Sequence, residues 1–132
     1  MRRTVWLLLV LTIGFGACST DKKKMDMDNT LRLYEKSIRW GAYGDAQTVQ
    51  KDLSNFVDPE KFSEIKVISY DVIRQEIHGD FDRVDQTVEI RFYHEQQGTV
   101  KKLVDQQTWL YDEDRGIWQL EGPLPNFNSA IQ

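Results

Sequence analysis

Val84-Asp85-Gln86-Thr87-Val88-Glu89-Ile90-Arg91-Phe92 decides the fold class, because its apolar and polar residues alternate. Val84, Val88, Ile90 and Phe92 point one way, and Asp85, Thr87, Glu89 and Arg91 point the other. A period of two belongs to a strand with one covered face and one wet face. Upstream, Ile68, Tyr70 and Val72 alternate with Val67, Ser69, Asp71 and Ile73, which predicts a strand from about residue 66. Its apolar face is expected to carry Ile68, Tyr70 and Val72. His78-Gly79-Asp80 breaks the two runs, and Gln96-Gln97-Gly98 is a turn candidate. Residues 99–111 predict a third strand and residues 117–121 a fourth, separated by the polar turn 112–116 and closed by Gly122-Pro123. Short links between consecutive strands make them antiparallel neighbours.

Before the strands the period changes. Leu31, Tyr34 and Ile38 recur at spacings of three and four, the mark of one helical face, after the possible caps Asp28, Asn29 and Thr30. Asp45 is read as the cap of a second helix with Ala46, Val49, Leu53 and Phe56 on its apolar face. Asp58-Pro59 predicts a cap with proline at the first helical position, opening a short turn through Phe62. Helices grouped before strands give an α+β domain, with the helices packed on a bent sheet of four or so antiparallel strands. The expected organisation is a signal over residues 1–17, a tether over 18–27 and one domain over 28–132.

Composition limits the function. The chain of 132 residues carries 17 basic and 21 acidic side chains. Loss of residues 1–17 removes Arg2 and Arg3, leaving 15 basic against 21 acidic side chains and a net charge of −6. That balance argues against nucleic acid as a partner, which calls for a basic patch. The dense basic run is Lys22-Lys23-Lys24, suited to anionic lipid heads near a membrane.

The amino terminus has the order of an export signal. Arg2 and Arg3 precede an apolar run over residues 5–15, then come the small residues Gly16 and Ala17 and the single cysteine, Cys18. The run of 11 residues is short of the roughly 20 that cross a bilayer as a helix. Phe15-Gly16-Ala17-Cys18 resembles the lipobox of bacterial lipoproteins, with Phe15 where the family has an aliphatic residue. The resemblance implies cleavage between Ala17 and Cys18, a diacylglycerol on the cysteine sulfur and a palmitate-type chain on the new amino terminus. Several acyl chains together anchor stably where one alone is marginal. Ser19 in place of an aspartate implies the outer membrane, facing the periplasm.

Residues 28–127 resemble the nuclear-transport-factor-2-like superfamily. The likeness lies in Arg39-Trp40-Gly41 and Asp45-Ala46, a connector with Pro59, long strands, and Trp109-Leu110-Tyr111 through Trp118-Gln119-Leu120 closed by Pro123-Leu124-Pro125. It implies a cone-like sheet wrapped on an amino-terminal helix; a cystatin-like sheet on one helix is the alternative. Members of the superfamily often hold an apolar pocket, and some use an aspartate in it as a base, which implies an isomerase or dehydratase as one alternative function.

The residues themselves assemble no catalytic constellation. Asp71, Asp105 and His94 are the inward candidates, and Asp105 shares a predicted face with Leu103 and Trp109. His78 and His94 lack ligand spacing, and Asp80, Asp82 and Asp85 lack the oxygen-donor loop of a calcium site, so no metal or other cofactor is expected. Trp40, Tyr70, Phe92, Asp105, Trp109 and Trp118 are the candidate pocket or patch. The reading is a lipid-anchored, non-enzymatic accessory domain for an envelope protein partner, with a small apolar ligand in the cone as an alternative. Globomycin treatment, or Cys18→Ala, is expected to leave the precursor uncleaved or unanchored in membrane fractionation; unchanged processing and membrane recovery would contradict the lipobox.

Overall fold

The computed structural model describes residues 16–129, with side chains from Ser19 onward. The export segment and the side chains of Ala17 and Cys18 lie outside the described residues. The architecture is α+β: a long amino-terminal helix, α1 (Gly16–Arg39), and a short one, α2 (Tyr43–Gln47), precede four strands. The strands are β1 (Ile65–His78), β2 (Arg83–His94), β3 (Lys101–Asp112) and β4 (Ile117–Glu121). They form one antiparallel sheet in the order β1-β2-β3-β4.

The alternation in β2 holds: Val84, Val88, Ile90 and Phe92 are fully buried on the inner face under α1. The outer face is polar and cross-paired, with Lys102 Nζ 3.5 Å from Glu89 and the Thr87 hydroxyl donating to Gln106 at 2.9 Å. Between β3 and β4 the Asp112 carboxylate accepts from the backbone N–H groups of Asp114 and Arg115 at 3.0 and 3.1 Å. Gly116 closes that turn at φ 66°, a conformation in which a Cβ is strained.

In β1 the simple alternation is corrected. Register shifts fall between Val67 and Ser69 and between Val72 and Arg74. Each bulge adds a residue, so the inward positions follow the spacing Ile65, Val67, Tyr70, Val72, Gln75, Ile77, paired to the inward positions of β2. Ile68 falls in the first bulge and is exposed.

The helix also departs from expectation. It is already helical at Gly16, the first described residue, rather than starting near Asp28, so residues 19–27, read as a polar tether, are helical. An apolar stripe is nearly missing there, but tertiary contacts replace it. Met27 is buried, and the Lys23 carbonyl accepts from the Trp118 indole N–H at 3.0 Å. The Lys23 ammonium lies 4.8 Å from the centre of the Tyr111 ring and pairs with Glu113 and Asp82. These carboxylates, Glu113 first, raise the lysine pKa. At the other end the helix stops in a Schellman arrangement: Ala42 N–H bonds to Ser37 O at 2.8 Å, Gly41 N–H to Ile38 O at 3.3 Å, with Gly41 at φ 73°.

The second helix is shorter than its apolar spacing suggests, ending at Gln47. Gln47 turns its amide onto the backbone of Val57, donating at 2.7 Å and accepting at 2.6 Å. Residues 49–51 then run beside β4, with Leu120 N–H bonded to Val49 O and Lys51 N–H to Leu120 O, both at 2.8 Å. Leu53 and Phe56 are left 64% and 59% exposed instead of forming a helical face. The turn at Asp58-Pro59 forms as expected, with Asp58 capping Glu60 N–H at 3.0 Å. One sheet edge is thus covered and β1 is the open one.

Trp109 and Tyr34, both buried, meet edge to face at 5.1 Å and fill the space between α1 and the sheet. Trp109→Ala is expected to lower unfolding stability by about 3–5 kcal/mol in urea titration; a loss below about 1 kcal/mol would contradict this placement.

Candidate functional site

Three glutamines stand in one row across the inner face, because Gln75 pairs with Gln86 and Gln86 with Gln107 in the strand registers. Their amides are joined: Gln75 Nε2 donates to Gln86 Oε1 at 2.8 Å, and Gln86 Nε2 to Gln107 Oε1 at 3.1 Å. Gln107 is the hub. Its oxygen also accepts from the Trp109 indole N–H at 3.1 Å, and its Nε2 donates to the Tyr70 hydroxyl at 2.9 Å and to Asp105 Oδ2 at 2.8 Å. That uses both donors and both usual acceptor sites of one amide.

The electrostatics follow from burial. Desolvation raises the pKa of Asp105, and the hydrogen bond from Gln107 opposes that shift. Among the described residues Asp105 is in no ion pair. Burial also raises the Tyr34 and Tyr70 phenols, with the Asp105 charge adding to both. The buried Tyr34 hydroxyl has no hydrogen-bond partner. Both phenols are therefore neutral at physiological pH.

A groove of about 200 Å³ opens between α1 and β1, with Arg32 and Glu35 at its helical wall and Tyr70, Gln75 and Gln86 at its sheet wall. Asp105 and Tyr34 do not line it. A general base must reach the proton it removes; Asp105, half-buried and bonded to Gln107, is not among the residues lining this groove, whereas Tyr70 and Gln86 are. The hydrogen bonds of Gln107 fix the side chains around it.

Of the residues expected to form a site, Tyr70, Asp105 and Trp109 come together, through Gln107. Phe92 lies apart in the core, 4.9 Å from Phe127, and Trp118 packs on Tyr111 at 5.4 Å. Trp40 stands 78% exposed just after α1 and joins no aromatic contact among the described residues. Asp71 is exposed opposite Glu89, and His94 lies 6.0 Å from Phe92. Asp82 and Asp85 are engaged separately, Asp82 by Lys23 and Asp85 by Arg83 and His78. No group of three His, Cys, Asp or Glu fit to hold a metal occurs among the described residues. Gln75, Gln86, Gln107 and Tyr34 were missed as members. The available signal was a glutamine in the apolar phase of two neighbouring strands.

Compared with known proteins, the chain matches no family model, no curated sequence and no solved structure.

Two substitutions test the cluster. A buried acid whose folded pKa is raised favours the folded state at low pH, and that contribution is lost as pH rises through the folded value. Asp105→Asn, whose side-chain oxygen still accepts from Gln107, is therefore expected to unfold at higher urea than the parent at pH 7 and to lose this advantage near pH 3; a less stable variant at pH 7 would contradict a desolvated carboxylate. Gln107→Leu leaves Tyr70, Gln86 and Trp109 short of a partner and is expected to cost about 3 kcal/mol, measured by the same titration. A cost below 1 kcal/mol would show the hub to be dispensable.

Proposed function

We propose that this chain is a lipid-anchored protein of a bacterial envelope, held through Cys18 to the outer membrane on its periplasmic side, whose domain acts without catalysis by binding another envelope protein. The observation that carries the non-enzymatic reading is that Asp105 is held by Gln107 and does not line the groove between α1 and β1. The core packing adds to it, since Trp109, Tyr34, Ile38 and Phe92 are all buried between α1 and the sheet. Both observations weigh against the isomerase alternative and against a small apolar ligand in the cone.

The anchoring part stands on the export signal and the Gly16-Ala17-Cys18 sequence. The helical backbone adds support through Lys24, exposed, in no ion pair among the described residues and about 9 Å along the axis from position 18 at 1.5 Å per residue, whereas Lys22 and Lys23 pair within the domain. Lysines so close to lipid heads favour an anionic surface. Among the described residues no helix is long and apolar enough to cross a membrane.

For the partner, β1 is the supporting feature. Ile68, Val72, Ile73 and Ile77 are each more than two-fifths exposed along one open edge strand. Single exposed apolar residues are ordinary, but several on one edge mark a contact surface. The two bulges and the pair Arg74–Glu76 guard that edge against indiscriminate strand addition, so recognition there works through side chains. As to fold family, an uninterrupted meander on one long helix with an open β1 edge favours the cystatin-like alternative over a closed nuclear-transport-factor-2-like cone.

A photoreactive phenylalanine analogue at Ile73 or Ile77 of the lipidated chain in cells is expected to give a discrete crosslinked envelope protein, whereas one at Gln106 on the outer face gives none. Reproducible absence of any adduct at the β1 positions would count against the partner reading.

A further inference from the structure

A second concavity, of about 350 Å³, lies away from the glutamine row, where the segment after α2 meets the turn that follows β4. Val57, Phe62 and Ile65 form one wall, and Leu124, Pro125 and Phe127 the other. This exceeds twice the roughly 150 Å³ of an apolar cavity that takes up benzene, and falls within the range of small-molecule sites.

The walls are rigid. Phe62 packs on Tyr43 at 4.9 Å and on Phe127 at 5.8 Å, and Phe127 packs on Phe92 at 4.9 Å. Phe92 and Tyr43 belong to the buried core, so the apolar surface is fixed before any ligand arrives. A preformed pocket avoids the ordering cost of closing on its ligand.

The polar groups at this pocket are selective in sign. Lys61, His94, Asn126 and Asn128 line it, and among the described residues no carboxylate does, although acidic residues outnumber basic ones in the chain. Lys61 is in no ion pair among the described residues. Two neighbouring acids are engaged elsewhere: Glu95 sits 3.7 Å from Lys66, and Glu64 accepts from Gln96 at 2.9 Å. An apolar body with one negative end satisfies both parts of the pocket: its chain covers the aromatic and proline surface, and its charge meets the lysine and amide donors. A cation finds no partner there, and a neutral apolar molecule leaves Lys61 unused.

We infer that the pocket between residues 57–65 and 123–128 binds a small apolar carboxylate of about ten heavy atoms, of the short-chain acyl class, the size being an order-of-magnitude match to the cavity. This lies outside the proposed protein contact on β1 and uses none of its residues.

The test uses the full lipidated chain in lipid nanodiscs and a diazirine-bearing octanoate as photoprobe. Labelling is expected on peptides covering residues 57–65 and 123–128. Octanoate is expected to compete about fivefold more strongly than 1-octanol or octyltrimethylammonium, the upper end of one exposed charge contact. Lys61→Gln is expected to shrink the preference for octanoate over octanol while leaving octanol competition unchanged. Val57→Trp, which fills the pocket from a half-buried loop position, should abolish labelling with the circular dichroism spectrum retained. Labelling elsewhere, or labelling that survives Val57→Trp, would overturn the site. Equal competition by octanoate and octanol would overturn the anionic class. Neither result bears on crosslinking from Ile73, so the two readings fail separately.

Discussion

The sheet has one apolar face, and α1 is the helix that covers it. That burial is the constraint on which the other features depend. Tyr34 meeting Trp109 edge to face is its centre, with Ile38 and Met27 extending the contact toward the two ends of the helix. Aromatic burial on this scale supplies much of what a small core needs. It also fixes what the remaining chain must do. Residues 49–51 run beside β4, the turn after β4 brings Leu124 and Phe127 under the lower end of the core, and the Lys23 carbonyl receives the Trp118 indole.

Placing Gln86 and Gln107 on that apolar face is tolerable because both amides are bonded, Gln86 between Gln75 and Gln107. A partly satisfied buried network is worse than an apolar core, and a full one orders its members. Gln107 accordingly locks Tyr70, Trp109 and Asp105 into one arrangement. The cluster thereby serves as a rigid floor under the α1–β1 groove. Its desolvated carboxylate and protonated phenols look like chemistry when read as a collection of residue types. Their connectivity gives a structural role.

The strands were legible where alternation is uninterrupted, as in Val84 to Phe92, and so were the turns at Gly98 and Gly116. β1 was only half legible, because two added residues reset its phase and no residue type announces a bulge there. The start of α1 was hidden for a different reason: residues 19–27 are held by a backbone carbonyl, a lysine ammonium and one methionine rather than by an apolar stripe. The second helix was misjudged because tertiary bonds from Gln47 to Val57 and from residues 49–51 to Leu120 outcompete the helical spacing of Val49, Leu53 and Phe56. Of the candidate site, Tyr70, Asp105 and Trp109 were visible as inward residues of strands. Gln107, which joins them, was not, since a polar residue on an apolar face is identified only once its partners across the sheet are known.

The helical course of residues 19–27 turns the stretch expected to be a tether into a stiff continuation of the domain. Amide hydrogen exchange of the full chain tests this directly. The backbone N–H groups of residues 23–28 are expected to exchange slowly, with protection comparable to that of residues 31–38. Exchange of 23–28 at the rate of an unstructured peptide, beside a protected 31–38, would contradict the account and restore the tether.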